Sequence, residues 1–230
     1  MSALHPITGI GLGPGDPDLI ALKAFKALQD ADVIFYPASE ITEENTISFS
    51  LVVLRCLGFE DKSEPLLLPM HAHNRKDNYI NAYNIAKKAY LQGKKIAIVS
   101  EGDILFYSTF GYILELIQAD NIPYCLIPGI PSFILATAAT GKVLVNGNKT
   151  LRVLALPQSF DIIKKNLSAQ VGLVVMKPKK LKGWYAFLAE ISSPFFYVEY
   201  LGTEKQFITA DKEMLKNREI PYFAMFIFYT

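Results

Sequence analysis

Three short stretches concentrate the residue types from which a ligand site is built. The first, Gly9-Ile-Gly-Leu-Gly-Pro-Gly-Asp16, joins an apolar strand to a helix. A glycine-rich turn of this kind can offer bare backbone N–H groups to a phosphate or pyrophosphate. The dinucleotide fingerprint fails in detail, because its third glycine position holds Pro14 when counted from Gly9 and Asp16 when counted from Gly11. Proline has no N–H to give, and an aspartate repels a pyrophosphate. Glu40 stands about where a ribose-binding acid would, so a nucleotide-binding, non-catalytic module stays open as an alternative beside a purely structural tight turn.

The second stretch is Ser100-Glu-Gly-Asp-Ile-Leu-Phe-Tyr-Ser-Thr109 and the third is Ile127-Pro-Gly-Ile-Pro-Ser-Phe133. Each follows an apolar run and precedes a helical one. In an open parallel sheet, ligands bind beyond the carboxyl ends of the strands, which is where both would lie. Gly102 permits close backbone approach, Glu101 and Asp103 supply carboxylates, and Ser132 offers a hydroxyl near a helix start. The plainer reading makes Ser108 or Thr109 a helix cap and leaves the acids solvated. His71 and His73, two apart, could meet a metal carried by a substrate, but an isolated loop pair is more often surface decoration, and no protein metal site is expected.

The elements that must position these loops alternate. Strands are predicted at Ile7–Gly11, Val33–Pro37, Leu66–Leu68, Lys95–Ser100 and Tyr124–Ile127. Helices are predicted from Asp18, as N-cap, to Asp30, and at Ile47–Leu57, Tyr79–Gln92, Ser108–Ala119 and Ser132–Thr140. Near-continuous apolar strands between helices argue for a parallel sheet covered on both faces. A cluster of Gly141, Asn146, Gly147 and Asn148 marks a boundary, giving an N-terminal α/β domain over 1–141, a linker at about 142–149, and a C-terminal α/β domain over 150–230. In the latter, strands at Leu151–Leu156, Val171–Met176, Phe195–Leu201, Gln206–Thr209 and Tyr222–Tyr229 surround helices at Phe160–Leu167 and Leu181–Glu190. Adjacent strands near the end predict a mixed sheet.

Of 230 residues, 51% are hydrophobic and 20% charged, which excludes a disordered chain. The net charge of +1 supplies no field to draw the molecule onto nucleic acid or an anionic membrane. The charge is uneven, net −5 over residues 1–120 and +6 over 121–230, so the second half could face an acidic ligand. Cys56 and Cys125 sit in apolar runs and read as small core residues. No basic segment followed by a long apolar one opens the chain. The longest uncharged window, Asn121 to Gly141, is interrupted by Pro123, Pro128, Gly129 and Pro131. The expectation is a soluble, cytoplasmic protein.

Taken together, the three loops resemble those of the tetrapyrrole (corrin/porphyrin) methylase family. Gly11-Leu-Gly-Pro-Gly-Asp-Pro-Asp-Leu-Ile20 is similar to the N-terminal signature, with Ala21 where threonine is common. Glu101-Gly-Asp103 is similar to the Gly-Asp-Pro loop, with Ile104 in place of proline, and Pro128-Gly-Ile-Pro-Ser132 matches the third. The resemblance runs from Ile7 to Tyr229. Within the family, Ser100–Asp103, Phe106-Tyr-Ser-Thr-Phe110, Pro128–Phe133, Leu68-Pro-Met70 and Pro221-Tyr-Phe most resemble the branch that methylates C-20 of precorrin-2 or its cobalt counterpart, cobalt-factor II. A methylase acting at another ring position is the alternative.

The resemblance implies a class III methyltransferase of two αβα-type domains with an active-site cleft between them, working as a homodimer. It implies S-adenosylmethionine as cofactor, leaving as S-adenosylhomocysteine. Its cofactor-binding positions carry over to Pro14, Glu101, Gly102, Asp103, Phe106, Pro131, Ser132, Met176 and Gly202. A macrocycle bearing acetate and propionate groups asks for cations around an apolar slot, and Arg75, Lys76, Lys142 and Lys177 are the candidates. A proton must leave C-20, for which Asp103, Glu101 and Tyr107, or solvent, are the candidates, with Asp103 and Tyr107 taken as the catalytic pair.

Overall fold

The computed structural model describes residues 4–41, 46–69 and 74–229. The histidines at 71 and 73 and the end of the Leu68-Pro-Met70 string lie outside them. The chain divides into two compact units, Met1–Pro131 and Ser132–Thr230. The helix at Ser132–Thr140, read from sequence as part of the first domain, is therefore grouped with the second.

In chain order the first unit contains β1 (Ile7–Gly11), α1 (Leu22–Asp30), β2 (Val33–Ala38), a small antiparallel pair β3 (Glu40–Ile41) and β4 (Thr46–Ile47), and α2 (Phe49–Cys56). Then follow β5 (Ser63–Leu67), α3 (Arg75–Leu91), β6 (Ile96–Ser100), α4 (Phe110–Ala119) and β7 (Tyr124–Ile127). Five strands form a wholly parallel sheet in the order β5-β2-β6-β1-β7. β6 is buried at every position, as a central strand covered on both faces must be. One face packs Val33, Phe35, Ile98, Phe110 and Ile113 under α3 and α4. The other packs Ile10, Ile34 and Val99 with Ala24 and Leu28 of α1 and Val53 and Leu54 of α2.

Local chemistry moves several helix starts from where periodicity alone puts them. Asp16, not Asp18, is the cap: its Oδ1 accepts from the Asp18 N–H at 2.9 Å and closes a 3-10 turn at Pro17–Leu19. Ile20 and Ala21 are extended and α1 begins only at Leu22. Ile47 belongs to β4, and Ser48 caps α2 by accepting from the Leu51 N–H at 3.2 Å. α3 begins one turn earlier than expected, which places Arg75 and Lys76 in its first turn. Cys56 corrects the reading of both cysteines as core residues, because it is exposed on α2, while Cys125 is half-buried.

The second unit runs α5 (Ser132–Thr140), β8 (Thr150–Ala155), α6 (Phe160–Asn166), β9 (Val171–Met176), α7 (Trp184–Glu190), β10 (Phe195–Glu199), β11 (Phe207–Thr209) and β12 (Ala224–Phe228). Its sheet is mixed, in the order β11-β10-β12-β9-β8. β8 and β9 are parallel, while β12 is antiparallel to both β9 and β10, so β8, β9 and β10 all point the same way. α7 starts at Trp184 and not Leu181, because Gly183 takes a left-handed φ of 89° just before it. Trp184 then stacks on Phe226 with ring centroids 3.8 Å apart, anchoring that helix to the sheet centre. Among the described residues, no helix is long and apolar enough to cross a membrane.

Candidate functional site

The parallel order of the first sheet decides where its chemistry collects. β6, β1 and β7 are neighbours, and the three loops singled out by sequence leave their carboxyl ends side by side. The backbones there meet more closely than any side chain would allow. A Cβ on Gly129 would lie 2.1 Å from the Gly102 carbonyl oxygen and 2.8 Å from the Gly11 carbonyl carbon. A Cβ on Gly11 would lie 2.5 Å from the Gly129 nitrogen. Gly13 and Gly102 exchange backbone hydrogen bonds of 3.1 and 2.7 Å, and the Leu12 N–H donates to the Ser100 carbonyl at 2.9 Å. The glycines are thus required by packing between three loops, a stronger constraint than turn formation within one.

Asp103 ties this knot. Its Oδ1 accepts from the Leu105 and Phe106 N–H groups at 2.9 and 3.1 Å, and its Oδ2 accepts from the Gly129 N–H at 3.1 Å. One side chain therefore shapes its own loop and binds it to the next. Glu101 reaches the other way: its Oε1 accepts from the N–H and hydroxyl of Ser50 at 3.1 and 2.7 Å, at the start of α2. Ser50 is fully buried, so this carboxylate satisfies two groups that would otherwise be costly. Ser108 donates to the buried Ser100 hydroxyl at 2.8 Å and accepts from the Phe110 N–H at 3.1 Å, taking the capping role foreseen for it.

The structure thus brings Glu101, Gly102, Asp103 and the Pro128–Pro131 loop to one edge of the first sheet, together with Pro14, which is buried. Phe106 and Tyr107 form the tip of the second loop with their rings in an edge contact at 4.8 Å, and Tyr107 is half exposed with a left-handed φ of 53°. Arg75 and Lys76 are exposed on the first turn of α3, which runs back from the carboxyl edge toward β6. One turn further, Tyr79 stacks on Tyr112 of α4 at 4.5 Å, and burial raises its hydroxyl above the ordinary tyrosine range.

In the second unit, Met176 ends β9 and Gly202 follows β10, both at the shared carboxyl edge of β8, β9 and β10. The Gly202 N–H donates to the Gln206 side chain at 3.0 Å, which leaves the carbonyl as its backbone group for a ligand. Lys177 is left-handed at φ 55°, donates its N–H to the Ala224 carbonyl, and holds its ammonium 5.3 Å from the centre of the Tyr222 ring. Ser132 opens α5. Lys142 is not brought to this edge. Its ammonium lies 6.0 Å from the Tyr229 ring centre, just past the end of β12, and antiparallel β12 ends at the opposite edge.

Two features escaped sequence reasoning. Leu156, Lys177 and Tyr200, immediately after β8, β9 and β10, all take left-handed φ values, 53°, 55° and 46°, which are costly for residues with a Cβ. No sequence signal marks them. The other is Glu199, a buried carboxylate at the end of β10, flagged only by being the single charge in Phe195-Phe-Tyr-Val-Glu-Tyr-Leu201. Among the described residues, no group of three or more His, Cys, Asp or Glu is arranged to hold a metal ion.

The family profile described as Tetrapyrrole (Corrin/Porphyrin) Methylases matches residues 6–214. The chain is 31% identical to a precorrin-2 C(20)-methyltransferase of a Sinorhizobium species, over 95% of this chain and 93% of that one. It is 30% identical to a probable cobalt-precorrin-2 C(20)-methyltransferase of Methanocaldococcus jannaschii, over 76% and 73%. Among solved structures, a uroporphyrin-III C-methyltransferase from Thermus thermophilus complexed with S-adenosylhomocysteine superposes with a TM-score of 0.65 at 20% identity, covering 98% of this chain and 92% of that one. A cobalt precorrin-4 methyltransferase does so at 0.67 and 21%, covering 97% and 94%. These last two likenesses are of fold.

Proposed function

The chain belongs to the tetrapyrrole methylase family, and on that premise we propose that it methylates C-20 of precorrin-2 or of its cobalt counterpart. It is a methyltransferase of cobalamin biosynthesis that uses S-adenosylmethionine and acts on a tetrapyrrole. The ring position rests on one observation above others: a relative named for C-20 aligns at 31% identity over nearly the full length of both chains. The two pyrrolic substrates, metal-free and cobalt-bearing, correspond to the names of the two relatives.

The residues present fit the cofactor. The close meeting of Gly11, Gly102 and Gly129 gathers the backbone of the three loops at the carboxyl edge of β6, β1 and β7, beside the Glu101 and Asp103 carboxylates. Pro14, Glu101, Gly102, Phe106 and Pro131 in the first unit are assigned to the cofactor, and Ser132, Met176 and the Gly202 carbonyl carry the same assignment in the second. S-adenosylmethionine supplies an activated methyl on a sulfonium that carries its own leaving group. What the protein adds is orientation, an environment of carbonyl and carboxylate oxygens suited to a cation, and exclusion of water.

Asp103 acts in this scheme by position. Both its oxygens receive backbone N–H groups, so its service is to hold Phe106 and Gly129 in place. Tyr107, half exposed at the loop tip, is the side chain assigned to pass the C-20 proton outward. Arg75, Lys76 and Lys177 are assigned to the carboxylates of the ring, and the working unit is assigned as a homodimer. The test is a reaction of the purified chain with precorrin-2 and with cobalt-factor II in the presence of isotopically labelled methyl donor, followed by mass spectrometry and carbon NMR. One methyl at C-20 is the expected product. Label at any other carbon would reassign the enzyme within its family.

A further inference from the structure

Glu199 is the buried carboxylate among the described residues, 4% exposed, and nothing in methyl transfer calls for it. Arg218 meets it with a two-pronged grip, Nε to Oε1 at 2.7 Å and Nη2 to Oε2 at 2.8 Å. The fully buried Tyr197 donates its hydroxyl to the same Oε1. The guanidinium lies 3.7 Å over the Phe207 ring, and Phe207 is the register partner of Glu199 across β10 and β11. An apolar trio of similar volume would often hold a core as well, so such a pair asks for a reason beyond stability.

Its surroundings supply one. Glu199 is the last residue of β10, and left-handed Tyr200 and Gly202 come next. Arg218 lies in the segment that leads into β12. That segment and the first residue of β12 receive two of the three strained corners of the edge: the Tyr200 N–H donates to the Phe223 carbonyl at 3.0 Å and the Lys177 N–H to the Ala224 carbonyl at 3.1 Å. We propose that the Arg218–Glu199 pair, braced by Tyr197, is a positioning device that holds Lys177 and the Tyr200–Gly202 turn in the conformation that binds S-adenosylmethionine. The inference rests on the assignment of Met176 and Gly202 to the cofactor.

The test uses the full chain and S-adenosylhomocysteine as the probe. Arg218→Lys keeps the charge but loses the planar fork and the stack on Phe207. It should weaken S-adenosylhomocysteine binding by calorimetry about tenfold. It should also raise KM for the methyl donor while leaving kcat at saturating donor near wild type. Tyr197→Phe, which keeps the ion pair, should move the same quantities in the same direction by about threefold, and it carries the test if the arginine variant does not fold. Ile163→Val, in the core of the same unit, serves as a control that lowers the melting temperature without moving affinity. Wild-type affinity in a folded Arg218→Lys, or in Tyr197→Phe, overturns the proposal. A wild-type chain that does not bind S-adenosylhomocysteine would instead remove the cofactor reading on which the proposal stands.

Discussion

Gly129→Ala tests the three-loop knot most directly. The new Cβ would stand 2.1 Å from the Gly102 carbonyl oxygen and 2.9 Å from the Gly11 Cα, distances at which carbon cannot sit. Both obstacles are main chain, so no rotamer change relieves them and a loop must move by about 1 Å. The Gly129 N–H to Asp103 Oδ2 bond and the Gly13–Gly102 exchange lie in the path of that movement. Overpacking of this kind costs about 1–3 kcal/mol, and each loosened hydrogen bond adds about 0.5–1.5 kcal/mol, so a loss of about 3 kcal/mol is expected. For a chain of this size that corresponds to a fall of about 6–12 °C in Tm. Calorimetric melting and S-adenosylhomocysteine titration should therefore change together. Gly111→Ala is the matched control: its Cβ meets nothing within 4 Å, and alanine in a helix gains up to about 1 kcal/mol over glycine. A Gly129→Ala protein that melts and binds like wild type would refute the convergence of the loops.

Three further outcomes are expected. Glu101→Gln keeps an oxygen for Ser50 and should change stability by less than about 1 kcal/mol, whereas Glu101→Ala strands the buried Ser50 groups at about 1–3 kcal/mol by urea unfolding. If the Glu101 charge faces the sulfonium, Glu101→Gln weakens S-adenosylmethionine more than the neutral S-adenosylhomocysteine, and equal losses would place that charge elsewhere. Asp103→Asn must turn its NH2 either toward the Gly129 N–H or toward the Leu105 and Phe106 N–H groups and loses a hydrogen bond each way, so it should lower Tm and cofactor affinity; an isolated fall in kcat with a changed pH profile would make Asp103 a base after all. Asp120 is held below the ordinary aspartate range by hydrogen bonds from Lys87 and Tyr83, so the stability it gives the α3–α4 pair is present above that range and lost as pH falls through the depressed value. Asp120→Asn should flatten that acid limb of the unfolding profile, and an unchanged limb would assign it to other carboxylates.

The composition of the strands and the small residues in the loops were legible without coordinates. Apolar runs such as Ile96–Ser100 can be satisfied only between two covered faces, which fixed the parallel sheet, and the clustering of unbroken strands after Phe195 pointed to the mixed one. Helix starts were less legible. They turn on a single side-chain hydrogen bond, as at Asp16 and Ser48, and periodicity is blind to which of two neighbouring oxygens makes it. Cys56 was misread because an apolar run on a helix still has an outward face.

By itself the sequence determined the family, the element types and the identity of the three loops, since these depend on residue types at short spacing. Tertiary structure alone decided what the residues in those loops do. Asp103 and Glu101 look alike as acids beside a glycine, yet one staples two loops and the other seats a helix, because the sheet order sets which backbone N–H lies within reach. The same holds for Lys142, parted from Lys177 by the reversal of β12, and for Glu199 and Arg218, nineteen residues apart and joined by the fold. Hydrogen bonds and close packing act over a few ångströms in space, and separation along the chain carries no record of them.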